Sequence, residues 1–241
     1  RNGEKNYTLF ENNPDIILKR IFAPEHGFYG EASTGTTVEY DNPKDSGPEI
    51  VSLHGKTKKP TAEMLEGIDL IIYDIQDIGV RYYTYISTLG IVMEAAGENG
   101  VNVMVLDRPN PLGGEIIEGA ILDTAFKSFV GIHPIPIVHG MTLAEYAQMI
   151  NGEYWLKDSV QCELYWQGMK NYDHQKSYNL PIKPSPNLPN SQSIALYPSL
   201  CLFEGTDMSV GRGTSHQFQV IGSPKLDSCF YSFTPISGQG A

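Results

Sequence analysis

Leu70-Ile71-Ile72-Tyr73-Asp74-Ile75-Gln76-Asp77-Ile78-Gly79-Val80-Arg81 changes character after its fourth residue. The four apolar side chains read as a strand, and a cluster of two acids, an amide and a guanidinium follows at once. Three other runs repeat that pattern. Ile16 to Ala23 leads into Pro24-Glu25-His26-Gly27, Val101 to Leu106 into Asp107-Arg108-Pro109-Asn110-Pro111, and Ile135 to Val138 into His139-Gly140. Helical patterns lie between the runs, so the strands are expected to be parallel and joined by crossovers, the α/β class. A parallel sheet opens all its strand C-termini on one edge, where ligands bind. Four polar clusters far apart in sequence are therefore expected to meet in one cleft, as an active site requires.

The chain of 241 residues is long enough for one large α/β domain, or one domain and part of another. Its formal charge of −11 disfavours nucleic acid and anionic membrane as partners, while a local Arg pair can still oppose the global field around an acidic ligand. No apolar stretch nears the ~20 residues of a membrane span. Arg1 is not Met, and the chain reads as starting mid-domain and stopping at Ala241 without a closing element, so the missing signal peptide is uninformative. Cys162, Cys201 and Cys229 are odd in number and widely spaced, which fits buried free thiols better than disulfides or zinc. The six histidines show no ligand spacing, and no metal is assigned. There is no G-x-G-x-x-G after a strand, no P-loop and no G-x-S-x-G elbow, so no cofactor and no serine hydrolase is expected.

Around the four runs, Gly30 to Pro48 reads as a loop long enough to be functional, and Ile50 to His54 as a short strand. Thr61 is placed as the N-cap of a short helix ending at Gly67. A longer helix is expected from about Tyr83 to Glu98, stopped by Asn99-Gly100. Thr142-Leu143-Ala144-Glu145 spells a capping box for a helix to about Ile150, and Val160 to Trp166 is expected to be a strand. Leu180 to Asn190 holds four prolines and should be extended. Ser191 to Leu202 fits a buried helix interrupted by Pro198, or a strand, and Phe218 to Ile221 a strand near the start of a second unit. The expected division is a catalytic domain over 1–220 and the start of a smaller, truncated one over 221–241.

Glu25 sits between Pro24 and Gly27 at the expected cleft edge, where partial desolvation would raise its pKa as a general acid requires; capping a helix or pairing with an Arg is the competing use. His26 can orient Glu25, bind substrate or simply pack. If the strand continues to Gln76, Asp74 and Gln76 share a face and Asp77 begins the turn. One of the two acids is expected to tie the turn to Arg81 while the other faces the substrate. Tyr82, Tyr83 and Tyr85 offer flat faces for stacking on sugar rings, or else belong to helix core. Two prolines stiffen the turn that presents Arg108 and Asn110; Arg108 either grips a carboxylate or pairs with an Asp. Glu118 is a candidate second carboxylate or a surface residue. Glu204 in Phe203-Glu204-Gly205-Thr206 and Arg212 in Gly211-Arg212-Gly213-Thr214 lie in Gly-rich segments where backbone can approach a ligand, Arg212 being another candidate anion clamp.

Ala23-Pro24-Glu25-His26-Gly27, the run Asp74 to Tyr85, Leu106-Asp107-Arg108-Pro109-Asn110-Pro111-Leu112-Gly113-Gly114, Pro184-Ser185-Pro186-Asn187 and Phe203-Glu204-Gly205-Thr206 together resemble the bacterial exo-β-N-acetylmuramidases, formerly known only as a domain of unknown function. The resemblance covers nearly the whole chain. It implies a Rossmann-like domain, a parallel sheet with helices on both faces and no dinucleotide, joined to a smaller C-terminal domain with the cleft between them. It implies a first strand before Arg1 and most of the C-terminal domain after Ala241. It also implies release of terminal N-acetylmuramic acid from the non-reducing end of peptidoglycan fragments, in the periplasm or outside the cell. The family's catalytic Glu falls on Glu25.

Glycoside hydrolysis needs a protonated carboxyl at the leaving oxygen and usually a second carboxylate, for which Asp74 and Asp77 are the candidates. The substrate's N-acetyl group is the alternative internal nucleophile, polarised by one of them. The lactyl carboxylate of the muramic sugar calls for an Arg, drawn from Arg81, Arg108 and Arg212. His26, Gln76, Tyr85, Asn110, Glu118, His139, Asn187 and Glu204 complete the expected substrate-binding set. Peptidoglycan-derived saccharides are the expected partners, and no oligomeric state is assigned. Two other readings compete: a non-catalytic muropeptide-binding module on the same scaffold, and a metal-dependent hydrolase or phosphatase using Asp74, Asp77 and His139.

Overall fold

Parallel ladders carry the strands of the computed structural model, which describes residues 4–32, 35–40, 47–176, 178–226 and 229–236. The chain divides into two compact units, Arg1–Lys58 and Lys59–Ala241. In the first, helix α1 (Asn6–Glu11) precedes strand β1 (Arg20–Ala23), which pairs in parallel with β2 (Glu49–Ser52), Arg20 opposite Glu49 and Ala23 opposite Ser52. The apolar run beginning at Ile16 joins the ladder only at Arg20. The Asn13 side chain accepts the Asp15 N–H across Pro14 to make a turn, and Ile17 is left in solvent. In the loop expected over Gly30 to Pro48, residues 33–34 and 41–46 lie outside the described residues.

The second unit runs α2 (Ala62–Leu65), β3 (Leu70–Tyr73), α3 (Tyr85–Asn99), β4 (Asn102–Leu106), α4 (Leu143–Gly152), β5 (Leu164–Gln167) and α5 (Ser191–Leu200). Its strands lie in the order β3-β4-β5, all parallel, with Leu70 opposite Asn102 and Val103 opposite Leu164. Helical crossovers between parallel neighbours make this an α/β fold. Central β4 buries Val103 and Val105 fully, while β5 exposes Tyr165 and Trp166.

Helix boundaries follow local chemistry. Thr61 Oγ1 accepts the Met64 N–H at 3.2 Å to cap α2. Gly100, at φ +67, takes the left-handed turn that ends α3. Thr142 and Glu145 form the expected reciprocal box at the start of α4, and Asn190 with Ser193 forms a second one at α5. Pro198 lies inside α5 near its end, so Ser191 onward is helix and not strand.

Among the described residues the strands form two parallel ladders. Two expectations are corrected. Ile135 to Val138 is not a strand: Pro136 has no N–H for a ladder, and only Val138 bridges, antiparallel, to Val80 and Glu118. Phe218 to Ile221 is not a strand either. Phe218 turns the chain at φ +51 and buries its ring beside Tyr197, centroids 4.9 Å apart. That ring belongs to a core of Ile78, Val80, Tyr83, Tyr85, Leu188, Ile194, Tyr197 and Val210, which fastens the loop after β3 to α5. Residues 227–228 and 237–241, within the segment expected to open a further domain, lie outside the described residues. Among the described residues no helix is long and apolar enough to cross a membrane.

Candidate active site

β1 places Ala23 in the core, and the chain turns directly after it. Gly27 N–H bonds the Pro24 carbonyl at 3.0 Å, and His26 and Gly27 both take positive φ, +71 and +74. Glycine adopts that conformation freely, whereas a side-chain-bearing residue is strained by roughly 1–2 kcal/mol. Two bonds to Ala32 hold His26 there: Ala32 N–H donates to the His26 carbonyl at 3.1 Å, and His26 Nδ1–H donates to the Ala32 carbonyl at 2.7 Å. The Tyr40 hydroxyl accepts the Phe28 N–H at 2.6 Å and leans over Gly27, where a Cβ would meet it at 2.8 Å. On this turn Glu25 is half-buried, with Oε1 accepting the Gly35 N–H at 3.1 Å. Backbone held in a rarely populated conformation clusters at functional sites.

In the second unit three of the four polar clusters come together. Asp74 Oδ1 accepts from Arg108 Nε and Nη2, at 2.7 and 2.6 Å. Gln76 Nε2 donates to the carbonyls of Pro109 at 2.8 Å and Asp77 at 2.7 Å. His139 N–H reaches the Gly79 carbonyl at 3.2 Å, and Arg81 N–H the Ile137 carbonyl at 2.8 Å. Buried Asn110 donates to the Met141 carbonyl at 3.1 Å, accepts the Leu112 N–H at 3.0 Å, and lies so close to Gly79 that a Cβ there would sit 2.4 Å from its amide. Asp107 accepts from Thr142 Oγ1 at 2.9 Å and Ala144 N–H at 3.1 Å, a carboxylate at the N-terminus of α4.

The pairings differ from those expected. Arg81 bonds neither Asp74 nor Asp77; its Nη1 donates to the carbonyls of Ala120 at 2.7 Å and Ile135 at 2.5 Å. Arg108 pairs with Asp74, while neighbouring Asp107 is occupied in capping. Arg212 is ion-paired with Glu204, which also accepts from Cys201 Sγ at 3.1 Å. Of the three clamp candidates, Arg81 alone is held by neutral oxygens. Tyr83 and Tyr85 are buried edge to face at 5.0 Å, and the hydroxyls of Tyr82 and Tyr83 donate to the carbonyls of Pro198 and Pro184. These rings form core and do not present flat faces to a sugar. Asn187 is buried and Glu118 exposed, its backbone bridged to Val138. Only Cys162 is a buried thiol; Cys201 is half-buried and Cys229 exposed.

Asp77 lies beneath this surface. Its Oδ2 accepts the Gly79 N–H at 2.7 Å, and His139 Nε2 is 3.7 Å from the same oxygen. Burial pushes the Asp77 carboxyl up to about 7, against the pull of the Gly79 and Ile78 amides, and burial drags His139 down to about 4. An ion pair would move both in the opposite directions, so below about pH 7 a neutral carboxyl faces a neutral imidazole. A second buried pair was not signalled in the sequence: the Tyr146 hydroxyl and His133 Nδ1 are hydrogen-bonded at 2.5 Å, although the two residues belong to unrelated motifs. Among the described residues no three His, Cys, Asp or Glu side chains come together as a metal site; Asp74, Asp77 and His139 are each engaged as above.

These features define a class, an α/β protein whose polar clusters gather in the loops that follow its parallel strands. The family model described as exo-beta-N-acetylmuramidase NamZ, N-terminal, matches residues 1–192, and its C-terminal counterpart matches residues 195–233. The chain belongs to the NamZ family. It is 47% identical over 224 residues to the peptidoglycan beta-N-acetylmuramidase NamZ of Bacillus subtilis (strain 168), over 91% of this chain and 53% of that protein. The chain thus spans about half the length of this curated relative. A crystal structure of a DUF1343 family protein from Bacteroides fragilis NCTC 9343 covers 100% of this chain and 64% of its own, at 45% identity and a TM-score of 0.88. A second from the same organism covers 93% and 57%, at 38% identity and a TM-score of 0.81.

Proposed function

We propose that this chain is part of a glycosidase that releases terminal N-acetylmuramic acid from the non-reducing end of peptidoglycan fragments during cell-wall turnover and recycling. The observation that carries the reading is 47% identity, over 91% of the chain, to a protein named as a peptidoglycan beta-N-acetylmuramidase. Glu25, on the strained turn after β1, is the general acid that protonates the leaving oxygen. Asp74, ion-paired with Arg108, is the second carboxylate of this reading, acting either directly or by polarising the substrate's N-acetyl group. Arg81 is the favoured reader of the lactyl carboxylate, since its guanidinium charge is set against carbonyls and no acid among the described residues pairs with it. Gln76 and Asn110 shape that surface through the backbone they hold.

The direct experiment is incubation of the protein with a chromogenic N-acetylmuraminide, beside the Glu25→Gln variant. Release by the parent and its loss in the variant supports the reading; binding without release by the parent supports the carbohydrate-binding module instead. From the substrate class we further propose that the protein works in the periplasm or outside the cell. Fractionation of the native host tests that location, and recovery in the cytosol alone would contradict it.

A further inference from the structure

Two buried polar atoms of the second unit have no hydrogen-bond partner and belong to neighbouring side chains: Oδ1 of Asp77 and Nε2 of His139. Their side chains are 8% and 0% exposed, and Nε2 lies 3.7 Å from Asp77 Oδ2. Chemistry fixes the tautomer. Met141 N–H donates to His139 Nδ1 at 3.2 Å, so Nδ1 is the bare nitrogen and Nε2 carries the hydrogen that faces the carboxyl. The titratable groups around Asp77 are Tyr73 on β3 and Tyr146 on α4, with Tyr85 and Glu94 of α3 acting on those two in turn. All are acids, so none favours a charged Asp77. The pair also sits at a structural junction. Asp77 Oδ2 holds the Gly79 N–H, the His139 N–H holds the Gly79 carbonyl, and Gln76 holds the Asp77 carbonyl.

We propose that Asp77 is a positioning residue, one half of a buried, net-neutral pair with His139 that sets the path of the loop carrying Gln76 and Arg81, and is not a catalytic carboxylate. This rests on the hydrolytic reading above. The shifts of both groups toward their neutral forms agree with the geometry. Such a pair holds one proton folded. Unfolded, between about pH 4 and 6.5, it also holds one, now on the imidazole and not on the carboxyl. The pair as a whole therefore adds little pH dependence to stability, although each member alone would add much.

Asp77→Asn discriminates, because an amide imitates a protonated carboxyl and cannot imitate a carboxylate. With the muraminide substrate, Asp77→Asn should lower kcat no more than about threefold with KM kept, while Asp77→Ala loses about tenfold or more. Turnover of the parent should decline as pH rises through about 7, and the part of that decline set by Asp77 should be missing in Asp77→Asn. A loss of about 100-fold in folded Asp77→Asn, the size expected when an acid–base group is removed, overturns the proposal. A second arm needs no substrate and so stands apart from the hydrolytic reading: melting temperature of the same proteins from pH 5 to 8. Asp77→Asn should lose stability on acidification more steeply than the parent, and His139→Gln should lose it as pH rises. If both follow the parent's curve, the pair does not exist. Should His139→Gln fail to fold, the Asp77→Asn curve decides alone.

Discussion

The loops after β1 and β3 both follow a short parallel strand and both carry acids, yet they use them differently. After β1, Glu25 stands on a turn whose strain is concentrated at His26 and is held by a backbone and a side-chain bond to Ala32. After β3, both acids are engaged with the loops around them: Asp74 with Arg108, and Asp77 with the Gly79 amide and His139. Asp107, after β4, is likewise taken up by the start of α4. A dense polar cluster therefore marks where loops are laced together, and density alone does not count catalytic groups. The strained turn after β1 is what favours Glu25 for proton transfer.

The largest effect should come from Glu25→Gln, which keeps shape and removes the acid. Turnover should fall by about 100-fold or more, the range of general acid catalysis, with melting temperature nearly unchanged. Parent-like turnover in a folded variant would move the acid out of the β1 loop and erase the contrast with β3. The lacing is attacked next, at Gly79. Its φ of +79 disfavours any side chain, and a Cβ would press into Asn110 at 2.4 Å, so Gly79→Ala should cost about 3 kcal/mol or more. Gly30 shares the positive φ, at +71, with open space around it, so Gly30→Ala should cost only about 1 kcal/mol. Chemical denaturation of both variants measures the difference. Equal losses would mean that backbone conformation, and not the interlocking of loops, governs both regions.

Much of this arrangement was legible where the signal was local. Leu70–Tyr73 ends where a strand run meets turn-forming acids, and Thr61 and Thr142 cap helices because capping involves only residues three apart. The meeting of the clusters after β3 and after β4 followed from the parallel pattern, whereas the cluster before α4 joins them without the strand it was read from. The false strand at Ile135 to Val138 came from weighing apolar content above Pro136. Partner choice was beyond reach: Asp74 and Arg108 are 34 residues apart, and which Arg meets which Asp depends on loop paths that no periodicity encodes. The stacking role given to Tyr83 and Tyr85 failed similarly, because the core that buries them is completed by Tyr197 and Phe218, more than a hundred residues later.

Arg81 sharpens the comparison from the substrate side. A charge-assisted Arg–carboxylate bond contributes about 1.5–3 kcal/mol, so Arg81→Gln should narrow the preference for N-acetylmuramic acid over N-acetylglucosamine by one to two decades. Arg108→Gln and Arg212→Gln break ion pairs with Asp74 and Glu204 and should change stability more than preference. Measuring hydrolysis of both sugars by all three variants separates the roles. An unchanged preference in Arg81→Gln, with loss in Arg108→Gln, would transfer the reading of the acid to the Asp74 pair.

The smallest effect concerns pH. His133 is buried, its Nδ1 is hydrogen-bonded to the Tyr146 hydroxyl, and its ring stacks on Trp155 with centroids 6.1 Å apart. Burial, helped by the charge of Lys127, pulls it down to about 4 from the ordinary 6.5. A base with a depressed folded pKa favours the fold while it is neutral. Its contribution is complete above about pH 6.5 and is lost as pH falls toward 4, because the unfolded chain takes up a proton that the folded one refuses. Asp77 and His139 largely offset each other over this interval, which leaves His133 unmatched among the three. Between pH 7 and 5.5 the loss should be on the order of 1 kcal/mol, a few degrees in melting temperature for a chain of this size. His133→Gln should melt lower than the parent at pH 7, having lost ring packing, yet decline less on acidification. A variant whose decline parallels the parent's would show that some other group, and not this imidazole, sets the acid limb.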